Sequence, residues 1–184
     1  MRDLSLHIMD LVQNSITAGA SLVETTLCLD ADGMLTLTIK DDGCGMDSEM
    51  VQKVISPFST TRSTRKVGLG IPMTLASARA TGGQLTLNSS PGKGTEICAT
   101  FLTDNIDCLP LGDIAETFAL LTAANPDTPD FVLTMSGPDQ AHEFDTRVIR
   151  EALGGVKLNE PEVMEWILTS LREQAGAVFG GKLQ

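Results

Sequence analysis

An amphipathic helix followed at once by a tightly joined pair of alternating strands is the pattern that most narrows the folds open to this chain. In LSLHIMDLVQNSITAGA, Leu4, Ile8, Leu11, Val12 and Ile16 recur at helical intervals, and Gly19 supplies a stop signal. Val23, Thr25, Leu27 and Leu29 then alternate along one strand, Asp32 and Gly33 make a turn, and Leu35, Leu37 and Ile39 alternate along the next. The motif recurs. A short helix over Asp47 to Val54 and a helical run from Ile71 to Ala80 precede a strand at Gln84 to Asn88, a turn in SSPGKG and a strand at Thr95 to Leu102. The order helix, hairpin, helix, hairpin lacks the repeated strand, crossover and parallel-strand units of a dinucleotide fold. It predicts an α+β two-layer sandwich, with helices on one face of a mostly antiparallel sheet.

Around Asp104 to Gly112 the pattern breaks, with Asp104, Asn105, Asp107 and Pro110 marking a boundary. Residues 1–106 form the first expected domain and residues 109–184 a small α+β second one. The second reads as a helix over Asp113 to Ala123, a strand over Asp130 to Met135, a short partner strand at Glu143 and Phe144, and a helix from Thr146 to Leu153 capped by Asp145. Pro161 opens a last helix through about Glu173, whose stripe of Val163, Trp166, Ile167 and Leu171 places Trp166 in the core.

Charge divides at the same place. The chain has 24 acidic and 13 basic residues, a net −11, of which residues 1–103 hold 10 acids and 8 bases. Such a balance opposes a general phosphate-backbone surface, so no nucleic-acid partner is expected, and the acidic second unit suits a protein partner or a dimer interface. Cys28, Cys44, Cys98 and Cys108 make no close pair, no apolar run approaches membrane-spanning length, and no secretory or lipidation pattern marks the termini. The expectation is a soluble cytoplasmic protein without a membrane partner, its cysteines in packing or loop positions.

Three constellations carry chemistry. Asp10 and Asn14, four residues apart, put a carboxylate and an amide on one helix face, where the first would orient or deprotonate water and the second would ligate Mg²⁺. The same spacing also describes a solvent-facing polar pair. Asp41, Gly43, Gly45 and Met46 in DDGCGM follow an apolar strand, so the glycines let the backbone turn close to a planar ligand while a carboxylate accepts a bond from an exocyclic amine; a plain Asp-Gly turn reads the same way. Arg62, Arg65 and Lys66 precede Gly68, Leu69 and Gly70 at a helix start, which suits phosphate as well as an ordinary solvated turn.

Taken together across residues 1–103, these segments resemble the GHKL ATPase and kinase superfamily of gyrase-type topoisomerases, heat-shock chaperone ATPases, mismatch-repair MutL proteins and histidine kinases. DLVQNSITAGA looks like its N box, DDGCGM like the first glycine box, PFSTTR with VGLGI like the lid and second glycine box, and GGQLTLNSSPGKGT like the last box. The resemblance implies a Bergerat-type ATP-binding fold with ATP and Mg²⁺ as cofactors. It gives Asp10 the place of the general base and Asn14 that of the Mg²⁺ ligand. It gives Asp41 the adenine amine, Gly43, Gly45 and Met46 the adenine pocket, and Gly68, Leu69 and Gly70 the phosphates. Thr95 completes the adenine site through water, and Thr61 and Arg62 stand at the lid entrance.

Asp10 replaces the family's usual Glu and withdraws the carboxylate by one methylene, which favours ATP binding over rapid hydrolysis. His7 reads as a packing residue and His142 as a turn residue, so neither is an acceptor for phosphate, and a sensor-kinase arrangement is not expected. Two other nucleotide motifs fail: Gly68-Leu69-Gly70 lacks the third glycine of a dinucleotide fingerprint, and Gly176 with Gly181-Lys182 ends in Leu183 rather than Ser or Thr. The function implied is that of a regulatory protein kinase or slow ATPase acting with a protein partner; the alternative is a non-catalytic ATP-sensing interaction module.

Overall fold

The computed structural model describes residues 2–55 and 69–180. Helix α1 spans Leu4–Thr17; Asp3 caps it, accepting the Leu6 N–H at 3.0 Å, and Leu4, Ile8, Leu11 and Val12 face the core. Strands β1 (Leu22–Leu29) and β2 (Met34–Asp41) follow as the expected hairpin, then α2 (Ser48–Ile55), α3 (Gly70–Ala80), β3 (Leu85–Ser89) and β4 (Thr95–Leu102). Beyond them come α4 (Ile114–Ala124), β5 (Asp130–Ser136), β6 (Ala141–Asp145), α5 (Thr146–Leu153) and α6 (Pro161–Phe179).

The strands make one six-stranded sheet in the order β3-β4-β2-β1-β5-β6, antiparallel throughout except where β5 runs parallel to β1. Alternation sends Val23, Leu27, Leu35, Leu37, Ile39, Ile97 and Phe101 to one face, under the helices. Thr26, Thr36, Thr38 and Cys98 fall on the other, partly exposed face, where Glu24 and Lys40 pair across the strands at 3.9 Å. The mixed, mostly antiparallel α+β sandwich is the fold the helix and hairpin order predicts.

Residues on both sides of the expected boundary at 106–109 contribute to that one sheet. β5 adds to the edge of β1 that the hairpin leaves unpaired, and Leu111, Phe118, Phe131, Leu133, Ile167 and Leu171 join the same core as α1 and the central strands. This pairing links segments about a hundred residues apart in the chain, a distance at which local periodicity carries no signal. The last helix runs to Phe179 instead of ending near Glu173, and Gly180 closes it in the left-handed region at φ 47°. Trp166 is 57% exposed, against its expected place in the core, because it lies about 100° around the helix from buried Ile167. His142 lies in β6 rather than in a turn. No helix among the described residues is long and apolar enough to cross a membrane.

Candidate functional site

The inner row of β2 reads Leu35, Leu37, Ile39 and then Asp41, so the alternation that builds the core also carries one carboxylate into it. Asp41 is 8% exposed. Its Oδ2 accepts the Ser15 hydroxyl at 2.6 Å and its Oδ1 accepts the Gly43 N–H at 2.9 Å. The neighbouring Asp42 turns the opposite way and binds the Ser21 hydroxyl, the Ser21 N–H and the Leu22 N–H. Those donors, the Ser21 hydroxyl foremost, hold the Asp42 carboxyl below its ordinary value. Of two adjacent acids, one closes the start of β1 and the other faces inward.

Register places Thr95 of β4 directly opposite Asp41 and Ser89 of β3 opposite Thr95. Ser89 donates its hydroxyl to the Gly94 carbonyl at 2.9 Å and accepts the Met46 N–H at 2.8 Å. With its one proton so committed, Ser89 is the acceptor in its 2.9 Å contact with Thr95, and the Thr95 oxygen keeps free lone pairs. Asp41 and Thr95 line a cavity of about 500 Å³ together with Asn14, Met46, Ile71 and Ile97, within the usual size of a small-molecule pocket.

Helix α1 forms the opposite wall. Asn14 lines the cavity, half-buried, and its side chain has no hydrogen-bond partner among the described residues. One turn earlier, the exposed carboxylate of Asp10 is equally without a hydrogen-bond partner among those residues, and it lies against the first residue of α3. A Cβ on Gly70 would stand 2.9 Å from Asp10 Oδ2 and 3.3 Å from its Cβ, so a larger residue there would displace the Asp10 side chain. Leu69 precedes the helix, exposed, and supplies no side-chain cap.

The DDGCGM turn folds over the strand ends. Gly43 is buried and bonds Asp41, while Gly45, at φ 66°, lines the cavity with Met46. A side chain on Gly45 would overlap the Ser90 carbonyl, so this glycine admits the close approach of the β3–β4 turn. Thr61, Arg62 and Gly68, with Arg65 and Lys66, lie outside the described residues.

Of the predicted residues, Asn14, Asp41, Gly45, Met46 and Thr95 line one cavity; Asp10, Gly43, Leu69 and Gly70 do not line it. Sequence reasoning missed Ser15, which holds Asp41, and Ser89, which holds Thr95. Pairing the strand ends by register would have found Ser89; no periodicity signals Ser15. A separate cavity of about 410 Å³ lies between the start of α4 and the end of α6, beside Leu111, Ile114, Phe179 and Arg172, and contains none of the predicted residues.

No group of three or more His, Cys, Asp and Glu among the described residues could hold a metal ion. A Mg²⁺ ion that takes most of its ligands from phosphate and water needs no such cage, and a single free carboxamide such as Asn14 fits that chemistry.

A sequence profile of the family described as histidine kinase-, DNA gyrase B-, and HSP90-like ATPase matches residues 2–105. The sensor protein kinase FleS of Pseudomonas aeruginosa is 41% identical over 111 residues, covering 59% of this chain and 27% of that protein. The cell-division control histidine kinase PdhS of Brucella abortus is 24% identical over 115 residues, covering 54% of this chain and 11% of that protein. The chain therefore spans only 11% to 27% of the length of these curated relatives. In fold it is similar to the Aquifex aeolicus MutL ATPase domain complexed with ADP, at TM-score 0.53 and 16% identity over 92% of this chain and 70% of that one.

Proposed function

The chain belongs to the histidine kinase-, DNA gyrase B- and HSP90-like ATPase family, and from that premise we propose that the cavity beside Asp41 binds ATP with Mg²⁺ in support of a regulatory kinase or slow ATPase activity. Asp41 carries this reading. Each carboxylate oxygen has capacity for two hydrogen bonds, and Ser15 and Gly43 use one apiece, so a buried, oriented acceptor remains for the exocyclic amine of adenine. Met46 and Ile97 supply apolar walls for the ring, and Thr95 accepts from a water at its edge.

Bound Mg²⁺ would neutralise phosphate charge and bridge the phosphate oxygens. Asn14 would ligate it through its amide oxygen. The N–H groups that begin α3, beside Leu69 and Gly70, would receive phosphate oxygens, with Gly68, Thr61 and Arg62 contributing from the preceding segment. Asp10 would orient the attacking hydroxyl or water and accept its proton.

Residues 109–184 would meet a protein partner. Exposed Trp166, with exposed Glu162 and Glu165 beside it on α6, supports that role, since aromatic side chains dominate binding surfaces. One observation favours a second reading, a nucleotide-sensing module without turnover: Asp10, shorter than Glu, is already seated against Gly70. Incubation with γ-labelled ATP, Mg²⁺ and a lysate of the source organism separates the readings, as transfer to protein, free phosphate or retained ATP. Calorimetry tests their common premise: Asp41→Ala should weaken ATP binding at least about tenfold, and unchanged affinity would refute the adenine assignment.

A further inference from the structure

His7 belongs to none of these contacts, yet it joins the two helices that form the phosphate end of the cavity. It is 1% exposed on α1, three residues before Asp10, and its ring faces α3. Nδ1 lies 3.0 Å from the Thr74 hydroxyl and Nε2 lies 3.4 Å from the Ser77 hydroxyl. Thr74 donates its single proton to the Gly70 carbonyl at 2.8 Å. The Thr74 oxygen can therefore only accept from the ring, which makes His7 the Nδ1–H tautomer and leaves Nε2 to accept from Ser77. Burial favours this neutral ring, pushing the imidazole below its ordinary value.

The relay has a direction: His7 to Thr74 to the Gly70 carbonyl. That carbonyl belongs to the same peptide unit as the N–H of Ile71, and Pro72 offers no N–H of its own. Ile71 lines the cavity, and as the second residue of α3 its N–H has no partner within the helix among the described residues. Hydrogen bonding at the oxygen of a peptide unit polarises its N–H, and it fixes the orientation of the unit as well. The adenine end of the site stands on Ser15, Ser89 and the strand ends, none of which touches this relay.

We propose that His7 is a positioning residue for phosphate recognition: through Thr74 it holds the first turn of α3, and the Ile71 N–H with it, in register with Asp10 and Asn14. The inference rests on reading the cavity as an ATP site. The chain thus sets phosphate affinity from a residue that touches no ligand, separately from adenine affinity.

Calorimetry on the full chain with MgATP and with adenosine tests this. His7→Leu, and Thr74→Val as the isosteric break in the same relay, should each weaken MgATP binding about tenfold while adenosine affinity stays within about twofold. His7→Asn, whose amide N–H replaces the Nδ1 donor, should restore MgATP affinity to within about threefold of the parent. Equal loss of both ligands would assign His7 a merely structural role and overturn the proposal, as would unchanged MgATP affinity in Thr74→Val or failure of Asn to rescue. Parent protein that binds neither ligand would refute the ATP reading itself, and the proposal with it. Nitrogen NMR on the ligand-free protein reads the tautomer independently: a protonated Nδ1 is expected, and a protonated Nε2 with bare Nδ1 would reverse the relay and overturn it.

Discussion

Ser15 donates its hydroxyl to Oδ2 of Asp41 across 2.6 Å, fastening the last turn of α1 to the last residue of β2. The bond orients a carboxylate that lies 26 positions away in the chain and almost wholly out of solvent. Ser15→Ala would remove one donor from a buried carboxylate and leave that oxygen unsatisfied. The expected cost is about 1–3 kcal/mol of stability, measured by urea denaturation. ATP affinity should fall as well, because the carboxylate loses its fixed orientation. A variant of unchanged stability and affinity would show that Gly43 alone suffices to hold Asp41.

Asp41 itself is legible in the amino-acid sequence, since it continues the alternation of Leu35, Leu37 and Ile39 and so must face inward. Asn14 is legible as well, because helical spacing places it on the face of Asp10. Ser15 is not. An interior serine in a helix looks alike whether it bonds its own backbone or a distant carboxylate, and only the tertiary arrangement chooses. Trp166 misleads for a related reason: α6 buries a stripe narrow enough that the neighbour of Ile167 falls outside it. The parallel pairing of β1 with β5 is hidden because both strands read as complete on their own, and nothing local distinguishes an edge that will be extended.

The glycines of the two turns over the site should differ sharply in tolerance. Gly45→Ala adds a Cβ that overlaps the Ser90 carbonyl at φ 66°, so strain and collision combine. Gly92→Ala, at φ 72° with nothing within 4 Å, incurs the left-handed backbone cost alone. Chemical denaturation should therefore place Gly92→Ala about 1–2 kcal/mol below the parent and Gly45→Ala at least about 2 kcal/mol below it, with loss of ATP binding. Equal destabilisation of the two would mean that the β3–β4 turn moves freely away from Cys44 and Met46.

Acid should act on the fold partly through His7. Burial pushes its imidazole below 6.5, against the opposing pull of Asp10 and Asp3. The unfolded chain then binds this proton more readily than the folded one, and stability rises with pH between the two values. The contribution is complete above the unfolded value near 6.5 and declines as the pH falls below it. Thermal melts between pH 7 and pH 5 should show a shallower loss in His7→Asn than in the parent. Parallel slopes would mean that the ring accepts its proton in place, with Ser77 turning to receive it.

Asp10 offers the sharpest separation of binding from chemistry. Its carboxylate lies beside the position a Gly70 side chain would take and has no hydrogen-bond partner among the described residues, so Asp10→Asn preserves shape and removes only basicity. Calorimetric affinity for MgATP should stay within about threefold, since no assigned binding contact is lost. If Asp10 accepts the proton of the attacking group, labelled phosphate transfer or release should fall by about a hundredfold or more. Asp10→Glu tests the geometry from the other side, because the added methylene carries the carboxylate farther from α1. Faster phosphate release in that variant would attribute slow turnover to reach, while an unchanged rate alongside full MgATP binding would move the chain toward the sensing role. Undiminished transfer by Asp10→Asn would place the required base elsewhere.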